Sequence, residues 1–184
     1  MYVVVVGLVA ASGQSSAVAA PQVNATVSSA ADLTAPHPVA GAAVDDDGVK
    51  CWGGPNNYGQ ISVPGYLTNP TAVSGGHRYT CALDDGGVKC WGQNDVGQAT
   101  ASVPSVRNPT QVSAGLYHTC AIDDTGVVCW GYDAYNVKEG VPTLTNPTQV
   151  SLGDYSACAI DDTGVKCWGY GNGANLSGSM TELL

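Results

Sequence analysis

Val44–Gly53 reads VDDDGVKCWG, Leu83–Gly92 reads LDDGGVKCWG, Ile122–Gly131 reads IDDTGVVCWG and Ile160–Gly169 reads IDDTGVKCWG. Each phrase closes on Trp-Gly, and the tryptophans, Trp52, Trp91, Trp130 and Trp168, stand 39, 39 and 38 residues apart. Self-similarity at a fixed period fixes an architecture before any other signal does. Other landmarks keep the same period. Asn-Pro-Thr begins at Asn69, Asn108 and Asn146, Val-Pro at Val63, Val103 and Val141, and Gly-Gln at Gly59 and Gly97.

Within one unit the local reading is β. Cys81-Ala82-Leu83 is a short β-prone run, Asp84-Asp85-Gly86-Gly87 is a turn signal, and Val88-Lys89-Cys90-Trp91 is a second run. Together they predict a hairpin. Copies with Thr before the Gly disfavour a two-residue loop that needs positive φ at both positions. A four-residue loop on a type I turn, with Gly taking the positive φ, fits better. The Asn-Pro-Thr segment starts another strand, where Pro is tolerated at the first residue or on an edge. Each unit therefore holds three or four short strands, the size of one propeller blade. A stacked β-solenoid competes, and a tight hairpin in every unit argues against it.

Charged residues make up 11% of the chain and the formal net charge is −9. The basic residues Lys50, Arg78, Lys89, Arg107, Lys138 and Lys166 are scattered singly. A nucleic-acid surface needs clustered Lys and Arg to displace counterions from phosphates, so nucleic acid is not an expected partner. The apolar run Tyr2–Ala11, followed by Ala17-Val18-Ala19, resembles an export signal over 1–20, although no Lys or Arg precedes it. A buried first strand is the alternative. The run is too short for a stable membrane span. Residues 21–35 read as a flexible linker, and 36–184 as the repeats. The expected location is secreted, periplasmic or at the cell surface.

The phrase from Gly115 to Gly131, GLYHTCAIDDTGVVCWG, and the WGQNDVGQ of Trp91–Gln98 resemble the repeat of the regulator of chromosome condensation family, in its bacterial-type form with short, Cys-containing units. The resemblance covers about 36 to 178 and implies a β-propeller, which in this family typically has seven blades. Three departures shape the expectation. About three and a half units are present, whereas a closed seven-bladed ring needs about 270 residues at this period. The expected fold is thus all-β, a partial β-propeller of three to four blades, either a fragment or an open arc whose ring a second copy completes. The first unit is damaged: Pro36–Gly41 matches Pro70–Gly75, and the counterpart of Gly76–Thr80 is missing. The nucleotide-exchange activity of the eukaryotic member is not implied, because its charged features and inserted loops are not found here.

Of the seven cysteines, Cys81 and Cys90, Cys120 and Cys129, and Cys158 and Cys167 stand nine apart. Hairpin register sets each pair face to face, close enough for a disulfide after small adjustment. An exported chain meets an oxidising compartment. Cys51 is left unpaired, its opposite position being Ala42. A rival pairing joins Cys51 to Cys81, Cys90 to Cys120 and Cys129 to Cys158, leaving Cys167 alone. Nine-residue spacing is unlike a zinc knuckle.

The paired aspartates at Asp45–Asp47, Asp84–Asp85, Asp123–Asp124 and Asp161–Asp162 admit a calcium rim or plain turn chemistry, and the repeat lacks calcium-loop spacing, which favours the turn. His37, His77 and His118 do not converge on one site, so solvated or structurally bonded histidines are expected. No catalytic residue, cofactor or metal site is predicted. The tryptophans are expected to pack between units. The tyrosines Tyr58, Tyr66, Tyr79, Tyr117, Tyr132, Tyr135, Tyr155 and Tyr170 vary between units, and variable aromatics on a regular scaffold suit protein contacts. Tyr117, Tyr132 and Tyr135 are the candidate binding surface. The expected function is a non-catalytic scaffold binding a protein or glycan. A secreted enzyme inhibitor and a propeller lyase or hydrolase are the alternatives.

Overall fold

The structure, a computed structural model, describes residues 25–26, 40–100 and 106–170. Apart from Ala25 and Thr26, the expected export signal and linker lie outside the described residues, as does His37. The described strands run β1 (Ala25–Thr26), β2 (Ala40–Asp45), β3 (Gly48–Gly53), β4 (Ala72–Gly75), β5 (Tyr79–Asp84), β6 (Gly87–Gly92), β7 (Gln111–Ala114), β8 (His118–Asp123), β9 (Gly126–Gly131), β10 (Gln149–Leu152), β11 (Ser156–Asp161) and β12 (Gly164–Gly169). A 3-10 turn, Ala134–Asn136, precedes β10.

Each repeat is one antiparallel blade: β4-β5-β6, β7-β8-β9 and β10-β11-β12, with β2-β3 as a reduced first blade. β1 adds a short parallel pairing to β4. The hairpins share one register. Cys81 faces Cys90, Cys120 faces Cys129, and Cys158 faces Cys167. The four sheets do not close on one another, so the architecture is a partial β-propeller.

The middle strands are buried on both faces, as a strand must be when its blade is sandwiched between two others. In β5, Tyr79, Cys81 and Leu83 pack toward the third blade, against Val112 and Ala114. The alternate residue Ala82 joins Trp91, Val73, Ala42 and Val49 at the junction with the first blade. Cys120, Ile122 and Cys129 likewise meet Val150, Ala157, Ala159 and Trp168 of the fourth. The core is therefore a series of interleaves between neighbouring blades, each holding apolar side chains worth about 1.5–3 kcal/mol when fully buried.

Polar links run across the same junctions. The Tyr79 hydroxyl donates to the His118 carbonyl at 2.6 Å and accepts from the Thr119 hydroxyl at 2.9 Å. The first strands of successive blades are joined where Ala114 N donates to Ser74 Oγ and Leu152 N to Ser113 Oγ. Blades approach so closely at Gly115 that an added Cβ would stand 2.7 Å from the Gly153 carbonyl oxygen. The Gly-Gln landmark acquires a purpose here. The Gln98 carbonyl accepts from Trp130 Nε1 of the next blade and shares the single Thr119 hydroxyl proton with the Tyr79 hydroxyl, and the Gln60 carbonyl accepts from Thr80 Oγ1. At the last junction Val137 replaces the glutamine, its carbonyl accepting from Trp168 Nε1 at 2.7 Å.

Three expectations need correction. Ala40 pairs with Gly53 just as Tyr79 pairs with Gly92. Ala40–Asp45 thus occupies the place of Tyr79–Asp84, and Ala40-Gly41 does not match Ser74-Gly75. Hydrogen-bond register overrides the short sequence match, while Ala42 does stand opposite Cys51. Secondly, Trp91, Trp130 and Trp168 are buried between blades at 9%, 3% and 6% exposure, but Trp52 is 52% exposed because no described loop covers it. Thirdly, Tyr79 is wholly buried and belongs to the core, not to the contact surface.

Candidate functional site

The hairpins present two rims, one at their turns and one at their open ends. At the turn rim each first aspartate folds back on its own backbone. Asp123 Oδ1 accepts from Thr125 N and Oγ1, Asp161 Oδ1 from Thr163 N and Oγ1, and Asp84 Oδ1 from Gly86 N. Its second oxygen accepts a backbone N–H sixteen residues earlier: Arg107 to Asp123, Thr145 to Asp161, Thr68 to Asp84. The second aspartate of each pair takes the side-chain amide of Asn69, Asn108 or Asn146, each at 2.6 Å. Those asparagines sit at φ of 46°, 47° and 50°, a left-handed conformation that Asn tolerates better than most residues. The turn glycines carry the positive φ foreseen, 99° at Gly87 and 120° at Gly126.

In the second to fourth blades both oxygens of the first aspartate, and one oxygen of the second, are therefore engaged by donors within the fold. The Lys166 ammonium, the Thr163 hydroxyl and the Thr145 amide hold Asp161 well below the usual carboxylate range. Burial alone would raise Asp123, but hydrogen bonds from Thr125, Arg107 and Gly126 outweigh it and lower its pKa. Among the described residues no group of three His, Cys, Asp or Glu is placed to hold a metal ion. This rim is turn architecture built from two landmarks, D-D-x-G and N-P-T, that are distant in sequence.

The cysteines follow the hairpin scheme. Cys81–Cys90, Cys120–Cys129 and Cys158–Cys167 are disulfides with Cα atoms 4.0 Å apart. Cys51 is free, and burial pushes its thiol up to about 11 against a hydrogen bond with Thr80. It is a protonated, poorly nucleophilic thiol at neutral pH. His118 is buried in β8, and burial lowers its pKa against a backbone hydrogen bond with Ser156. His77 stacks edge-on to Tyr117 at 6.4 Å.

The open-end rim holds the variable tyrosines. Tyr132 N donates to the Tyr117 carbonyl in the third blade, and Tyr170 N to the Tyr155 carbonyl in the fourth. Arg78 and Gln93 hold these places in the second blade. Tyr135, on the 3-10 turn, does not join Tyr117 and Tyr132 in a ring stack. It packs instead on Tyr155, with centroids 5.3 Å apart, and on Tyr170, at 4.6 Å. Burial, then the nearby phenols of Tyr117 and Tyr135 and the Asp154 carboxylate, raise the Tyr155 pKa. Gly153, Asp154, Tyr155, Ser156 and Tyr170 line a shallow hollow beside this cluster. Tyr155 and Tyr170 thus share this rim with the candidate residues, although sequence reasoning left them in the general tyrosine set. Their repeat positions, equivalent to Tyr117 and Tyr132, were the available signal.

The fold and this rim define a repeat scaffold of the β-propeller class. Within it, residues 110–136 match the Regulator of chromosome condensation (RCC1) repeat, in agreement with the resemblance carried by Gly115–Gly131. The solved structures agree on the fold. The entire ectodomain of the Physcomitrella patens receptor kinase CR4 superposes with a TM-score of 0.60 at 21% identity, over 75% of this chain and 40% of that one. The CRINKLY WD40 ectodomain of the Arabidopsis thaliana receptor kinase ACR4 gives 0.58 at 25% identity, over 72% and 48%. Prp20p from Saccharomyces cerevisiae, described with its binding properties to Gsp1p and histones, gives 0.59 at 17% identity, over 72% and 44%. The chain spans less than half the length of each. A search of curated proteins returned no match.

Proposed function

We propose that this chain is an exported, non-catalytic repeat scaffold that binds a protein partner through the open-end rim carrying Tyr117, Tyr132 and Tyr135. One observation carries the reading. This rim changes from Arg78 and Gln93 in the second blade to paired tyrosines in the third and fourth, with Tyr132, Tyr135 and Tyr170 exposed, while the repeated Asn–Asp pairs of the other rim are engaged with each other. Exposed Tyr132 and Tyr135 offer large contact area at low rotamer entropy. Export is supported by three disulfides, which persist in oxidising compartments. No helix among the described residues is long and apolar enough to cross a membrane. Two structural neighbours are receptor ectodomains, and Prp20p binds proteins, which supports protein recognition on this fold. The test is a panel of extracellular proteins and glycans probed with the full chain and with a Tyr117→Ala, Tyr132→Ala, Tyr135→Ala variant. Protein ligands lost by the variant support the reading; ligands retained unchanged, or glycans alone, remove it.

End-to-end pairing of copies belongs to the same reading. Trp52 at one end and Ile160 at the other are 52% and 41% exposed, whereas their equivalents Trp130 and Ile122 are 3% and 4%. Each end thus offers a face of the kind that blades bury against one another. Sedimentation showing only monomer at high concentration would exclude it.

A further inference from the structure

Resting on the end-to-end pairing of copies, we propose that two copies of this chain close head to tail into one ring, the outer face of the fourth blade in one copy seating the first blade of the other. The third blade shows what such a face takes. Gln111 Oε1 accepts from Val150 N at 2.7 Å, and Ser113 Oγ accepts from Leu152 N at 3.1 Å. These are alternate amides of β10, the first strand of the incoming blade. Beside them Ile122 belongs to one apolar cluster with Val150, Ala159 and Trp168 of that blade. The face is therefore a seat with two parts, a pair of side-chain acceptors for the amides of a strand and an apolar bed for the rest of its blade.

The fourth blade repeats this seat. Gln149, Ser151 and Ile160 stand at the repeat positions of Gln111, Ser113 and Ile122. All three are exposed, Ile160 by 41% where Ile122 is 4%. Val165, which pairs with Ile160 in the hairpin, is exposed as well. The first blade carries the matching half. Ala43 and Trp52 stand at the repeat positions of Ala159 and Trp168, which fill the junction at 1% and 6% exposure. Ala43 is only half-buried and Trp52 is 52% exposed. The two ends differ in kind. One offers acceptors and a branched aliphatic bed, the other a small residue and an indole, and these are the halves that meet across the internal junctions. Copies therefore join head to tail. Such a contact closes into a ring or runs on as a filament, according to its rotation. The rotation between blades within the chain is that of a propeller, since the arc superposes on 44% of Prp20p. Two arcs joined by the same rotation approach the length of one such chain and meet at their far ends.

The experiment is sedimentation equilibrium of the full, disulfide-intact chain. Monomer and dimer are expected, with no larger species. Ile160→Lys places a charge in the apolar bed, and Trp52→Ala removes the indole. Each should weaken the dimer at least about tenfold, because a ring carries the change at both junctions. Both positions are exposed in the single chain, so the melting temperature of the monomer should hold. Gln149→Ala with Ser151→Ala should weaken the dimer about tenfold through lost hydrogen bonds alone. An equimolar mixture of Ile160→Lys and Trp52→Ala keeps one unaltered junction and should form more dimer than either variant alone. A series of trimers and larger species would overturn the ring and leave end-to-end pairing. Full dimerisation of Trp52→Ala would mean that like ends meet, which overturns the head-to-tail contact. Monomer at every concentration would remove pairing and ring together, leaving the rim to be judged by the triple tyrosine variant. That variant should dimerise as the parent does; its loss of dimer would move the contact to the rim and overturn the ring.

Discussion

At each described inter-unit turn, one asparagine and two aspartates form a closed set. Asn108 accepts an unfavourable φ and hands its side-chain amide to Asp124, while Asp123 caps its own turn. Replacing Asn108 separates the two contributions. Asn108→Ala loses both the conformational tolerance and the hydrogen bond, and we expect a loss of about 2 kcal/mol in urea unfolding. Asn108→Gly loses only the bond and should be better than alanine by about 1 kcal/mol. Equal losses for the two would show that the backbone conformation contributes nothing. Tyr135 presents the opposite case: its backbone sits at φ 65°, ψ 24°, which a bulky side chain disfavours, while its ring packs on Tyr155 and Tyr170.

The hairpin is the element whose register was most legible. Alternation, the acidic turn and nine-residue cysteine spacing fix which residues face each other, and the pairing follows. A staple closing so short a loop contributes about 2–3 kcal/mol by chain entropy. The first hairpin has the register without the staple, since Ala42 faces Cys51. Ala42→Cys should therefore form a fourth disulfide, raise stability by about 2 kcal/mol and abolish the thiol that denatured protein otherwise offers to iodoacetamide. A thiol titre unchanged in the oxidised variant would mean that the first hairpin is displaced from this register. Apart from the tryptophans packed between blades, what the sequence concealed was the set of hydrogen bonds that tie the hairpins to their neighbours and to the connecting loops. The tie from Asn108 to Asp124 and the latch from Tyr79 to His118 join residues with no shared local pattern. At the last junction Val137 substitutes for Gln98 by offering only a main-chain carbonyl, which every residue possesses and no motif can flag. The packing of Tyr135 on Tyr155 and Tyr170 was illegible for the same reason, because it depends on the backbone turn at Tyr135.

Across the whole molecule the ionisable groups set the response to acid. His118 has its pKa lowered by burial, so the unfolded chain takes up its proton first, near pH 6.5. Stability from the neutral imidazole is complete above that value and declines below it. Asp123 and Asp161, also lowered, contribute above their unfolded values near 4 and lose that contribution as the pH falls further. Urea melts should therefore show a plateau above about pH 7, a shallow decline below about 6.5 and a steeper one below about 4. His118→Tyr, which copies the second blade, should erase the first decline alone. A profile identical to the parent between pH 7 and 5 would assign that decline elsewhere. The Tyr79 hydroxyl, gripping the main chain of its neighbour rather than a side chain, has a mechanical corollary. A blade cannot melt without releasing a carbonyl that belongs to the next, so disorder entering from either end must travel inward link by link. The second and third blades, each packed on both sides, are the last refuge of order, a gradient that amide exchange would register as protection rising toward the middle of the arc.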